Sequence, residues 1–544
     1  MLESFGSDFR FGARTLWKSR SFTAMAIITL ALGVGASTAI FSVIDNVLLE
    51  PFPYRDAQRL MCVEIHDTDQ GDQGGRASYS AAEYLDFATQ NHSFESAIAN
   101  QQEDVLYTSG EGTERFQGAL ITPNTFEFLD VKPLLGRAAQ QADYEPGAPP
   151  TFILRHKTWV SRFSSDPSIL NKTFTLNGVS RTLIGIMPPR FAWGGADMWI
   201  PQTPVSAQMD SNGFPQFWFM LGRLKPGVSM KQATADFTVL AKQQAVAHPT
   251  DYPKHFSVQI ESLADLVVGQ FRTTLFIVLA AVALLLLIGC GNVANLLLAR
   301  ATTREKEFAV RAALGAGRRR LIQQLLVESM MLALGGAVLG ALLAWAGLKG
   351  LIAIIPPNII PEEAVIRING PVLLFTLAVA MLTALIFGLV PALQASRRNL
   401  NDSLRDSGKG TTGGSGHANI RNAVIVFEVA LSLTLLVGAG LLMRSFAALH
   451  DVNLGLRPDH ILVARLPLPQ ERYKTSAQVA GFFRPLLQRL NALPGVVSAT
   501  ETSTLPPYGG IPSDIEIPGK THADTWSSLL QLCSEQYFTV LRIQ

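Results

Sequence analysis

Three cysteines in 544 residues, Cys62, Cys290 and Cys533, are odd in number and far apart. That excludes a disulfide framework and a Cys-rich metal site, and leaves three unpaired apolar fillers. Charge is scarce as well. Only 16% of residues are charged against 48% hydrophobic, too few for an ordinary soluble enzyme, and the balance predicts a membrane protein with a substantial soluble part. No HExxH and no GxSxG occurs, and His92, His156, His248 and His255 show no metal-ligand spacing, so hydrolytic and metal chemistry have no foothold. A complete phosphate loop is also missing. Its nearest approach, SLRDSGKGTT at 403–412, lacks the first glycine of GxxxxGK[ST] and has Gly410 where Ser or Thr is needed. With Gly413, Gly414, Ser415 and Gly416 it reads as a flexible linker. The chain is expected to hydrolyse no ATP.

Five stretches are long and apolar enough to cross a bilayer: 22–48, 273–298, 325–348, 372–393 and 423–443. The first is no signal peptide, because it ends at Asp45-Asn46 and not at small residues suited to cleavage. Positive charges set the expected orientation. Arg10, Arg14, Lys18 and Arg20 precede the first span. Arg300, Arg304, Lys306, Arg311 and Arg318 to Arg320 crowd the loop after the second, and Arg397, Arg398, Arg405, Lys409 and Arg421 fill the connector after the fourth. All three stretches are read as cytoplasmic, with the N-terminus inside. Residues 51–265 carry 17 Lys or Arg against 23 Asp or Glu, a balance suited to an exported domain.

Ahead of the first span, Leu2, Phe5, Phe9, Leu16 and Trp17 recur near helical spacing beside Arg10, Arg14 and Lys18, predicting an amphipathic helix in the headgroup region. The exported stretch is long enough for its own core. It predicts a short helix at 80–89 and a hairpin at 172–187 around Asn177-Gly178. A strand at 217–224, a helix at 230–247 behind the N-cap Ser229, and a strand at 255–262 follow, giving an α+β domain. Nothing in it points to catalysis. It reads as a binding or force-receiving module.

The chain also repeats itself. The Gly-rich span near Phe22 has a counterpart near Ala423, and ITPNTFEFLDVK (121–132) returns degenerate as CSEQYFTVLRIQ (533–544). One unit plus the opening of a second is expected. Between the second and third spans, Glu307, Val310 and Leu314 fall at i, i+3 and i+7, with Gly315 and Gly317 at the end of the run. A short helix there would present them together and act as a lever between two membrane helices.

These residues carry a resemblance. Arg304, Glu307, Arg311, Ala313-Leu314-Gly315-Ala316 and Glu328 are similar to the coupling-helix motif of MacB/FtsX-type ABC transporter permeases, and 14–54 looks like the opening helix of the duplicated (acidobacterial orphan permease-like) members. The resemblance implies an α-helical membrane protein with α+β extracytoplasmic domains, five transmembrane helices here being a four-helix unit plus the first helix of a repeat. Its division would be an interfacial helix (1–21), span one (22–48), a periplasmic core domain (51–265), span two (273–298), a coupling helix (299–324), spans three and four (325–348, 372–393), a cytoplasmic linker (394–421), span five (423–443) and a partial second periplasmic domain (445–544). By analogy with 133–397, roughly 265 residues of a second unit are expected to be absent.

Also implied is a non-enzymatic permease of the bacterial inner membrane, passing the motion of a separate cytoplasmic ABC ATPase dimer to its periplasmic domains in support of efflux or export. ATP and magnesium would sit on that partner, with no cofactor in this chain. Arg304, Glu307, Val310, Arg311, Leu314, Gly315 and Ala316 would meet the ATPase. A periplasmic adaptor or substrate protein and membrane lipid are the other expected partners, and nucleic acid is not. The alternative is a membrane-anchored sensor without transport. Gly33, Ser37, Gly336, Gly340 and Ala344 give small-xxx-small spacings for close helix contact. Glu328 and Glu428, near the cytoplasmic ends of their spans, are expected to snorkel to a nearby arginine, the alternative being a part in coupling.

Overall fold

The computed structural model describes residues 2–69, 75–110, 112–205, 216–249, 251–303, 318–355, 360–397, 415–457, 459–468, 472–505, 510–515, 517–520 and 526–543. The chain divides into two units. One comprises Met1–Pro51, Val268–Ile360 and Ala364–Asp451, and the other Phe52–Val267, Pro361–Glu363 and Val452–Gln544.

The first unit is helical. A short helix, Leu2–Lys18, precedes the first long helix, Arg20–Ile44, which ends in a π-helical turn, Asp45–Leu49. Four more long helices follow: Leu263–Thr303, Arg318–Ile354, Gly370–Arg397 and Ser415–His450. Among the described residues, five helices are long and apolar enough to span a membrane. The second to fifth begin before and end after the apolar stretches read from sequence, because hydropathy marks where lipid suits a helix while caps and breakers mark where the backbone ladder stops. The second, for instance, starts where Ser262 Oγ accepts from the Asp265 amide at 2.9 Å. The linker expected at 394–421 is helical at both described ends, up to Arg397 and from Ser415. Leu30, Val34, Cys290, Val293, Leu332, Ala333, Ala380 and Phe387 form the unit's core. No residue in the membrane window of the fifth helix is buried.

The second unit is built on one large mixed sheet. Its strands in chain order are β1 (Leu60–Asp67), β2 (Gly75–Arg76), β3 (Ser78–Ser80), β4 (Phe94–Ser109), β5 (Gly112–Ile121), β6 (Leu135–Gly136), β7 (Thr151–Leu154), β8 (Thr173–Leu176), β9 (Val179–Ile186), β10 (Met198–Pro201), β11 (Phe217–Leu224) and β12 (Phe256–Ser262). Their main order is β12-β1-β11-β4-β5-β10-β7-β9-β6. β5 with β10 and β7 with β9 run parallel, and the other pairs antiparallel.

Successive strand residues point to opposite faces, and both faces here are buried. Met61, Val63 and Ile65 of β1, Ala97 and Ala99 of β4, and Trp218 and Met220 of β11 pack on one side with Tyr84, Phe87, Phe237 and Ala241. Leu60, Cys62, Ile98 and Leu221 pack on the other with Phe126, Leu129, Phe191, Trp193 and Trp199. Each fully buried Phe or Leu contributes about 1.5–3 kcal/mol of transfer free energy, so neither face is expendable.

Local signals place the elements that sequence reasoning found. The 172–187 hairpin is β8–β9, with Asn177 at φ 51° and Gly178 at φ 80°, the two left-handed residues of a tight hairpin turn. The helix read at 80–89 is Ala81–Gln90 with Ser80 outside it as the cap of a capping box with Glu83. Met230–Ala247 begins on a capping box of Ser229 and Gln232. The compact unit that holds the stretch read as 51–265 also takes in Pro361–Glu363, between the third and fourth long helices in sequence, and Val452–Gln544. Beyond the fifth helix, which continues to His450 and not 443, the chain forms a helix Ser476–Asn491 and a two-stranded ribbon, β13 (Ile511–Ile515) with β14 (Trp526–Leu530). Leu462 and Val497 are fully exposed there.

Candidate functional site

Arg304, Glu307, Val310, Arg311, Leu314, Gly315 and Ala316 lie outside the described residues. The helices on either side of them, Leu263–Thr303 and Arg318–Ile354, are described and lead into and out of that stretch.

Of the small residues singled out from sequence, Gly33, Gly336 and Gly340 lie at helix contacts within the first unit, and Ser37 and Ala344 are buried. A Cβ on Gly340 would stand 2.9 Å from both the Ala31 oxygen and the Gly35 nitrogen, and one on Gly35 would stand 2.8 Å from the Gly340 oxygen. The first and third long helices therefore touch backbone to backbone. Gly336 faces Leu30, and Gly33 faces Leu286 of the second helix. Ser37 is buried with its hydroxyl returned to the Gly33 carbonyl at 2.9 Å. Gly35 was not singled out from sequence, although GVGAS offered it beside Gly33.

Both embedded acids are held by protein. Glu328 is 2% exposed, with Gln324 Nε2 3.5 Å from its Oε1 and Gly12 of the N-terminal helix against its stem. Glu428 of the fifth helix takes a 3.3 Å hydrogen bond from Asn295 Nδ2, and its carboxylate fills the space a side chain at Gly291 would need. Glu328 is thus enclosed, with glycine and glutamine beside it leaving room for a carboxylate inside the packing.

At the other end of the first long helix, polar groups replace small ones. Thr38 and Thr376 hydroxyls are 3.0 Å apart, and Phe41 stacks on Phe375 at 4.0 Å. In the π-helical turn, Asp45 accepts from Asn369 Nδ2 at 2.6 Å, while Asn46 Nδ2 donates to the Ser42 and Arg367 carbonyls at 2.8 and 2.9 Å. Asn369 Oδ1 in turn caps the fourth helix at the Val372 amide, 3.1 Å away. The π turn inserts an extra residue and lets consecutive polar side chains face the fourth helix.

Within the second unit, Pro361–Glu363 are clasped. Arg155, 5% exposed, pairs with the Glu362 carboxylate, and Lys157 Nζ reaches it at 3.0 and 3.2 Å. Tyr54 donates its phenol to Glu363 Oε1 at 2.9 Å, and Arg190 Nε donates to the Glu363 carbonyl at 2.9 Å. Burial pushes the Glu363 carboxyl above its ordinary value despite Tyr54 and Arg155. Burial and Glu363 together push the Tyr54 phenol well above its own. Sequence reasoning missed this clasp. Its only local signal is an acid pair behind Pro361 in a short connection.

Among the described residues, no group of three or more His, Cys, Asp or Glu is placed to hold a metal ion. The described residues bring together close-packed helices, an enclosed Glu328, a half-buried Glu428 and a clasped connection.

A family model described as the MacB-like periplasmic core domain matches residues 23–240, and one described as the FtsX-like permease C-terminal matches 279–400. The macrolide export ATP-binding/permease protein MacB of Neisseria meningitidis is 25% identical over 310 residues, covering 55% of this chain and 46% of that protein. The pyoverdine export ATP-binding/permease protein PvdT of Pseudomonas entomophila is 24% identical over 270 residues, covering 48% and 38%. The uncharacterized ABC transporter permease YvrN of Bacillus subtilis is 25% identical over 264 residues, covering 44% and 58%. The chain spans about half the length of the curated relatives it matches. The crystal structure of the periplasmic region of MacB from Actinobacillus actinomycetemcomitans aligns with TM-score 0.31 at 12% identity, over 43% of this chain and 97% of that one. The extracellular domain of the transporter YknZ from Gram-positive bacteria aligns with TM-score 0.28 at 13% identity, over 37% and 99%. This multipass chain, joining a MacB-like periplasmic core domain to an FtsX-like permease domain, belongs with the MacB/FtsX-type ABC transporter permeases.

Proposed function

We propose that this chain relays the motion of a separate cytoplasmic ABC ATPase across the inner membrane to its exported domain, in support of efflux or export. ATP and magnesium reside on that partner, and the N-terminus is cytoplasmic. Residues 304–316 receive the push, with Glu307, Val310 and Leu314 toward the ATPase and Arg304, Arg311, Gly315 and Ala316 completing the contact. The single observation that carries this reading is the clasp on Pro361–Glu363. The connection between the third and fourth long helices has no need to join the exported domain for the chain to thread the membrane, yet two of its residues, Glu362 and Glu363, are held there by Arg155, Lys157, Tyr54 and Arg190. A connection between two membrane helices that is tied into the domain suits a device whose helices must move it.

Affinity capture of the full chain from its native membranes tests the reading. An ABC ATPase is expected to copurify with the unaltered chain and to be lost from E307K and L314D, with the chain still inserted. Capture without an ATPase, or with one indifferent to both substitutions, overturns the relay and favours the sensor.

A further inference from the structure

The N-terminal helix Leu2–Lys18 has one face committed to protein. Leu16 is buried in the helical core, Gly12 lies against Met331 and Glu328, and Arg300 Nη2 donates to the Thr15 carbonyl at 3.1 Å while its guanidinium covers Phe22. These contacts fix the helix in rotation. The remaining face is therefore a defined surface, and over residues 9–20 it consists of two neighbouring stripes. Phe9, Ala13 and Trp17 form one at i, i+4 and i+8, with Phe9 55% and Trp17 72% exposed. Arg10, Arg14 and Lys18, all exposed, form the other at the same spacing. Arg20 adds a fourth cation over the Trp17 ring, 5.2 Å from its centroid. No acid occurs between residues 9 and 20.

We infer that this face is a docking surface for anionic phospholipid headgroups of the membrane the chain spans. A phenyl and an indole on one stripe of the helix, left in the open next to the start of a membrane helix, fit the boundary between acyl chains and headgroups. The parallel row of cations then lies at phosphate level. A zwitterionic surface would be served by the aromatic stripe alone. Four unopposed cations in twelve residues select net negative charge, at roughly fivefold enrichment per cation lying at the surface. Because Leu16, Gly12 and Thr15 tie this helix to the third and second long helices, lipid charge is sensed by an element already joined to the membrane helices.

The test uses the full chain in lipid nanodiscs, with acyl-brominated phosphatidylglycerol or acyl-brominated phosphatidylcholine as quencher at equal mole fraction in a mixture of the two lipids. Subtracting W17F isolates Trp17 from the other tryptophans. Trp17 is expected to be quenched at least fivefold more efficiently by brominated phosphatidylglycerol, with the preference shrinking as salt is raised. R10Q/R14Q/K18Q leaves the packed residues intact and is expected to abolish the preference while quenching by phosphatidylcholine persists. Equal quenching by both lipids in the unaltered chain, a preference that survives the triple substitution, or a Trp17 reached by neither lipid, as when an acidic protein covers this face, each overturns the inference.

Discussion

Replacing Glu362 by alanine removes the carboxylate that pairs Arg155 and Lys157, and it should open the clasp without unfolding the sheet. Arg155 is buried whereas Lys157 is exposed, so nearly all of the effect comes through the guanidinium. A hydrogen bond to a charged group contributes about 1.5–3 kcal/mol, and the partly exposed position of Glu362 argues for the middle of that range. About 2 kcal/mol corresponds to a roughly 30-fold rise in the open population. Glu363→Gln keeps an acceptor for Tyr54 and should change little at acid pH. The sign of its pH dependence follows from burial. A carboxyl raised above its ordinary value binds its proton more tightly in the closed clasp, so closure is favoured at low pH and weakens as pH rises through the raised value. The E363Q clasp should lack that loosening. Both are read from the rate at which a water-soluble maleimide modifies Ala364→Cys, the buried residue that follows Glu363 in the chain, in a C533S background. Modification of A364C at one rate with and without E362A would refute the reasoning, as would an E363Q effect equal to that of E362A.

Gly340→Leu should separate the first and third long helices and lower the melting temperature of the full chain by several degrees. Gly347→Ala, on the same helix with nothing near its would-be Cβ, should be neutral or stabilising by about 1 kcal/mol. Equal effects in thermal unfolding would contradict the backbone contact. In the domain, burial would raise the Glu83 carboxyl, but the Arg76 guanidinium at 2.7 Å and the Ser80 amide bring it below its ordinary value. Its stabilisation is present above the ordinary carboxylate range and is lost as pH falls through the lowered value. Melting curves of the unaltered chain should therefore decline more steeply in acid than those of E83Q.

What the sequence made legible was local. Long charge-free runs announced the membrane helices, Asn177-Gly178 announced a hairpin, and Ser80 and Ser229 announced helix starts, since each signal is complete within a few residues. The order of the sheet was not legible. The parallel pairing of β5 with β10 and of β7 with β9 joins strands separated by long stretches of chain, and alternation says nothing of partners when both faces are apolar. Arg223 was hidden for the same reason. In FWFMLGRL it looks like the polar end of a strand, yet it is buried, donating to the Phe128 carbonyl at 2.5 Å and to that of Arg55. Of the candidate site, glycine spacing pointed to the helix contacts. The clasp needed Tyr54, Arg155, Arg190 and Glu363 to be brought together from four distant positions.

Side chains between helices ordinarily act as a compliant layer, in which rotamers adjust and small displacements are absorbed before they travel. Where the Gly35 and Gly340 main chains meet there is no such layer and no torsion to take up play. A sub-ångström shift entering one of the two helices near that crossing must either appear in the other or break the contact, which makes the crossing a fixed pivot.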